Sequence, residues 1–314
     1  RRLMPHVGAV LTLALLTLFV TYPLVLDLDG GLAQQNRWGW DAYQQAYEMW
    51  WFKQALLDPA ESAGYLRWIY YPDGAYYPLI LTYFLTYAQG VPLLFFLSPA
   101  AAYNVVVMAC FFLSGLMAYA LCTYLTGNPW AGLLGGIVYG FAPSRTAHAL
   151  AGHLELIATY TFPLYLLFLI RVVRKPRLST TALCGLSLGA SLLVQPLYIP
   201  FLLAPITILW LASEVFLRRR RITRRGWCAL GVGLGIGALI ALPFFWPVMR
   251  QQVSGASSYL ASSGFVQFSA DLLGRTIRYS MERKRLEQRL VFLAHHDPLT
   301  GTWNRRTLEE AVER

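Results

Sequence analysis

Two stretches of this chain hold side chains whose types and spacing could move protons or steady charge. The first begins at Trp38-Gly39-Trp40-Asp41, where a carboxylate precedes an aromatic series, Tyr43, Tyr47, Trp50 and Trp51, at near-helical spacing. The second runs from Ser144 to Glu155 and offers Arg145, His148, His153 and Glu155. Carboxylates and imidazoles can take and return protons, and a guanidinium steadies developing negative charge. Plainer roles stand beside these. Asp41 could cap a helix, and Arg145 could anchor a span end at the headgroups. His153 and Glu155, two apart, share no helical face and could simply be hydrogen-bonded in a loop. Whether the two stretches can share any chemistry depends on the elements that carry them.

Those elements are set by hydropathy. The chain is 56% hydrophobic and only 13% charged, outside the soluble globular range. Its mean hydropathy is +0.45. Apolar runs near the ~20 residues that cross a hydrocarbon core occur at Val7–Leu26, Ala102–Leu125, Trp130–Phe141, Leu156–Ile170, Thr181–Val194, Tyr198–Leu217 and Cys228–Met249. The first follows Arg1 and Arg2 but has no small-residue cleavage site, so it reads as a retained anchor rather than a signal peptide. The fold class expected is all-α: a polytopic bundle of about seven spans, with amphipathic helices on its outer surface and a carboxy-terminal helical tail. Cys110, Cys122, Cys184 and Cys228 all fall within apolar runs and read as small buried hydrophobes. Gly231–Gly237 lies in such a run too and reads as a helix-packing seam rather than a phosphate loop.

The net charge of +10 does not point to nucleic acid, because the basic residues cluster between spans. Arg171, Arg174, Lys175 and Arg177 fill one loop, and Arg218–Arg221 with Arg224 and Arg225 fill another. Such clusters mark cytoplasmic loops. A multi-pass protein of a bacterial inner membrane is expected, with its amino terminus in the cytoplasm. Both candidate stretches then face outward. Leu79–Leu97, interrupted by Gly90 and Pro92, reads as a pair of short helices near that outer surface.

Three divisions follow: 1–265 as the membrane domain, 266–290 as a junction with a charged helix, and 291–314 as the start of a soluble domain. The last contains Asp297-Pro298-Leu299-Thr300-Gly301 and Asn304-Arg305-Arg306 after a charged helix. It resembles the amino-terminal edge of GGDEF diguanylate cyclases, although Trp303 departs from the small residue or proline usual there. His295 and His296 are adjacent and point apart on a helix, so they read as no metal pair. The family's catalytic loop has no counterpart before Arg314, and no cyclase activity is expected. The basic tail would lie on the outer side, which conflicts with its character and suggests a joined or truncated reading frame.

A second resemblance covers roughly 1–274. It rests on Asp41 followed by Trp50-Trp51, on Tyr70-Tyr71-Pro72-Asp73-Gly74, and on Gly152-His153-Leu154-Glu155 followed by Phe162–Arg171. In order and sidedness these resemble the GT-C superfamily of membrane glycosyltransferases, in an uncharacterised bacterial branch. The resemblance implies transfer of a sugar from a polyprenyl phosphate to a cell-envelope acceptor on the outer face. It implies Asp41 as catalytic base or metal ligand, with Glu155 as the second possible ligand of a divalent ion, Mg or Mn. Arg145, His148 and His153 would bind substrate, Arg145 facing the departing phosphate. Partners would be the lipid-linked sugar and membrane lipid, with no nucleic acid. Two other readings remain: a membrane-anchored GGDEF signalling protein, and a non-catalytic transporter or scaffold. The transporter would need ionisable residues deep in its spans, and this chain has few.

Overall fold

In a computed structural model, residues 3–33, 41–67, 74–219 and 221–253 are described. By internal contacts the chain divides into Arg1–Met249 and Arg250–Arg314. The GGDEF-like turn, the junction, His295, His296 and Trp303 lie outside the described residues, as do Trp38–Trp40 and Tyr70–Asp73.

The described residues are mostly helical. Helix α1 spans Met4–Val20 and α2 spans Asp41–Leu57. A two-stranded antiparallel hairpin follows, β1 (Tyr65–Leu66) with β2 (Ala75–Tyr76), pairing Tyr65 with Tyr76. A 3-10 turn at Pro78–Tyr83 leads into α3 (Phe84–Ala88), and another turn occupies Leu93–Phe95. Then come α4 (Pro99–Thr126), α5 (Pro129–Gly140), α6 (Pro143–Ala151), α7 (Leu154–Ile157), α8 (Thr161–Arg174) and α9 (Leu178–Val194). Helix α10 (Ala204–Ala212) is flanked by π turns at Ile199–Leu203 and Ser213–Leu217, and α11 covers Arg224–Val253.

Four stretches are long and apolar enough to cross a membrane: Pro99–Thr126, Leu154–Arg174, Ile199–Leu217 and Arg224–Gln251. The other three apolar runs are also helical, but shorter. Helices α1 and α9 have 17 residues and α5 has 12. At 1.5 Å per residue, 17 residues reach about 26 Å, short of a ~30 Å core. The segment Leu79–Leu97 forms short helical pieces broken at Gly90 and Pro92, as its sequence suggests.

Local signals set the boundaries. Ser98 and Asn128 accept backbone N–H bonds from Ala101 (3.1 Å) and Trp130 (2.9 Å), capping α4 and α5, each of which has proline in its first turn. Helices α4 and α5 approach so closely that a Cβ on Gly136 would sit 2.7 Å from the Gly115 carbonyl oxygen.

One core cluster joins α2, the 3-10 turn with α3, α4, and α6–α7 through Met49, Trp51, Phe52, Ile80, Tyr103, Phe111, Leu154 and Ile157. This bears on the surface-helix expectation for Tyr43 to Trp51. The helix forms, but Trp51 is only 1% exposed and Tyr47 and Trp50 pack against the same cluster, leaving Tyr43 outside. The aromatic face of α2 turns mainly toward protein: Tyr47, Trp50 and Trp51 pack on one another, and the Trp51 indole N–H donates to the Ser62 carbonyl at 3.2 Å. All four cysteines are free.

Candidate functional site

The site is built where α6 ends and α2 begins. Gly152 closes α6 in the left-handed region at φ 83°. A Cβ there would lie 2.7 Å from the Ala42 nitrogen, so the residue type permits the approach of the two segments. The Tyr103 hydroxyl donates to the Gly152 carbonyl at 3.2 Å and holds this turn against α4.

Gln45 then ties the segments together. Its side-chain oxygen accepts from the Leu154 N–H at 2.7 Å, and its amide nitrogen donates to the Glu155 carboxylate. One turn back along α2, Asp41 Oδ2 lies 2.8 Å from His153 Nε2. The other ring nitrogen of His153 lies 3.2 Å from Nδ1 of His148. Asp41, His153 and His148 therefore form a continuous chain of polar contacts, with Asp41 half exposed. Asp41 is the first residue of α2, where its charge also suits the positive helix end.

One turn deeper, Glu48 is 2% exposed and accepts a hydrogen bond from Gln44 Nε2 at 2.8 Å. Burial pushes its carboxyl up to about 7. Hydrogen bonds from Tyr87 and Gln44 work against that rise, and the nearby charges of Glu155 and Asp41 add to it. His148 is lowered from the ordinary histidine range, first by burial and then by its neighbour His153. Asp41, Glu48, His153 and Glu155 line one cavity of about 330 Å³ with Tyr77, Tyr83 and Tyr87. Its chemistry is that of carboxylates, one of them held partly protonated near neutral pH, facing phenols and an imidazole. Such a lining can hydrogen-bond a polyhydroxylated ligand and take a proton from a hydroxyl.

Of the five residues singled out in sequence, Asp41, His153 and Glu155 line this cavity. His148 touches His153 but lines a different cavity, and Arg145 does not line this one either. It is 7% exposed and turns toward a second cavity of about 440 Å³ with Tyr139, Thr159 and Tyr198. Its guanidinium donates to the Tyr139 carbonyl (3.4 Å), to the Ile157 carbonyl and to Thr159 Oγ1 (2.8 Å). The break between α7 and α8 frees backbone carbonyls inside the protein, and Arg145 and the Tyr139 hydroxyl (2.9 Å to the Thr159 carbonyl) satisfy them.

Sequence reasoning passed over Gln45, Glu48 and Tyr87. The first two carry a readable signal: positions 41, 45 and 48 recur at helical spacing on one face. A divalent ion fits the arrangement poorly. Asp41 is engaged by His153 and Glu155 by Gln45. Among the described residues, no group of three His, Cys, Asp or Glu side chains is placed to hold a metal.

Comparison with protein-family models, with curated proteins and with solved structures gives no match to this chain.

Proposed function

We propose that the protein is a membrane glycosyltransferase of GT-C type, moving a sugar from a polyprenyl phosphate to a hydroxyl of a cell-envelope acceptor. The observation that carries this reading is the 2.8 Å contact between Asp41 and His153, which joins two loops over one acidic, phenol-lined cavity. In this reading α1, α5 and α9 complete a bundle of about seven spans. The Arg-rich loops lie in the cytoplasm and the cavity opens to the outer face.

Asp41 takes the acceptor's hydroxyl proton as the new glycosidic bond forms and the sugar–phosphate bond breaks, and the electron pair leaves with the polyprenyl phosphate. His153 orients the Asp41 carboxylate, and His148 steadies His153. Glu48, where protonated, and Glu155 with Gln45 hydrogen-bond sugar hydroxyls. Arg145 acts as a positioning residue, holding the α7–α8 break and through it the Leu154–Glu155 segment. No step is routed through a metal ion.

The test uses membranes containing the full chain and a polyprenyl-phosphate sugar labelled in the sugar. The account expects label in an envelope glycan or glycolipid and stoichiometric release of unsubstituted polyprenyl phosphate. If the labelled donor stays intact across a panel of sugars with envelope acceptors present, the reading is wrong.

A further inference from the structure

At the opposite ends of the same helices, the two Arg-rich loops meet. Arg174, in the last turn of α8, reaches Glu214 Oε1 at 3.1 Å, and Arg218 reaches the same oxygen at 3.4 Å. Glu214 is 1% exposed, so this carboxylate is a buried rivet between two loops some 40 residues apart in sequence. Gly226 closes the arrangement: a Cβ there would be 3.2 Å from the Val173 carbonyl, which brings the start of α11 against the end of α8.

The charge on this surface is one-sided. Glu214 is the only acidic residue between Leu156 and Ala270. Arg171, Lys175, Arg177, Arg219, Arg221, Arg224 and Arg225 remain exposed around it. A positive-inside bias by itself requires charge in each loop. It does not require a buried ion pair that gathers both loops into one patch.

The neighbouring side chains identify the surroundings. Trp227 and Tyr124 are exposed at this end, beside Phe216 and Leu217, which are more than three-quarters exposed. The Arg171 guanidinium sits 5.4 Å from the Tyr124 ring. Aromatic rings at helix ends next to snorkelling cations match the headgroup zone of a bilayer. We infer that this end of the bundle is a binding surface for anionic phospholipid, with the exposed arginines pairing with headgroup phosphates of the phosphatidylglycerol class. The inference is independent of the glycosyl-transfer reading, since it uses none of the residues lining the acidic cavity.

The experiment reconstitutes the full chain in phosphatidylcholine bilayers and measures, with spin-labelled lipids, the relative association of phosphatidylglycerol and phosphatidylcholine with the protein. Phosphatidylglycerol should be preferred on the order of fivefold per engaged cation at low salt, and less at high salt. The exposed-site variant Arg177→Gln/Arg221→Gln/Arg224→Gln/Arg225→Gln should lose most of that preference while its melting temperature in neutral detergent stays that of the parent. Equal association of both lipids with the parent would overturn the inference. So would an unchanged preference in the variant, or loss of the preference on adding millimolar inorganic phosphate at constant ionic strength, which would mark a free-anion site instead.

Discussion

Glu48 and Glu214 are buried to the same degree, 2% and 1% exposed, and the protein treats them in opposite ways. Glu214 has two guanidinium groups on one oxygen, which offset the cost of burying its charge. Among the described residues, Glu48 has only a glutamine and a phenol as hydrogen-bond partners and sees Asp41 and Glu155 as like charges. A buried carboxylate given cations is a structural joint. One denied them, beside a cavity and two further carboxylates, is held near its own titration point, which is a state a reaction can use. The contrast separates a joint at one end of the helices from a candidate reaction centre at the other.

Glu214→Gln should break the joint and have the largest effect on the fold. It strands two guanidinium groups against a neutral amide, and a loss of roughly 4 kcal/mol is expected from the behaviour of buried pairs. The readout is thermal unfolding in detergent, with transfer activity per folded molecule unchanged. Gly152→Ala should cost somewhat less, about 3 kcal/mol, since it forces an alanine into left-handed geometry and a Cβ to 2.7 Å from backbone nitrogen. Unlike the first variant, it should also lower activity per folded molecule, because it pushes His153 away from Asp41.

Glu48→Gln sharpens the comparison through pH. The folded-state pKa of Glu48 is raised from 4.5 to about 7, so the folded protein binds this proton more tightly than the unfolded chain does. Below pH 4.5 the residue costs nothing. As pH climbs through that window the parent loses stability, by up to about 3 kcal/mol above pH 7. The variant should lack this slope and exceed the parent's melting temperature at pH 8. A parent and variant with parallel profiles between pH 4.5 and 8 would show that Glu48 is not perturbed. Gln45→Ala should have the smallest effect, about 1–2 kcal/mol, by unpairing the Leu154 N–H and freeing Glu155.

Much of this contrast is written locally. The serine and asparagine caps, the prolines in first turns and the apolar runs mark the helices, and 41, 45 and 48 share a face by spacing alone. Glu214 is visible as a lone acid among arginines. Arg145 is the instructive case. Near a span end it reads as a phosphate or headgroup ligand, yet its guanidinium serves carbonyls freed where α7 gives way to α8. That break has a signal in Pro163, two residues into α8, which cannot supply a backbone N–H. Which side chain would satisfy the freed carbonyls depends on α5 and α6 lying alongside, and no local pattern encodes that. Trp51 is similar: its spacing gives a helix, while its burial depends on the chain beyond α2 folding back, where the Ser62 carbonyl accepts from its indole N–H.

The most direct test of the reaction centre is the rate of sugar transfer by Asp41→Asn, measured per folded molecule beside the parent and beside Glu214→Gln. Asparagine keeps the size of the side chain but cannot accept the hydroxyl proton. The account predicts a fall of about 10²–10⁴-fold for Asp41→Asn, with its melting temperature close to that of the parent and the Glu214 variant retaining its rate. Transfer by Asp41→Asn at the parent's rate would contradict it.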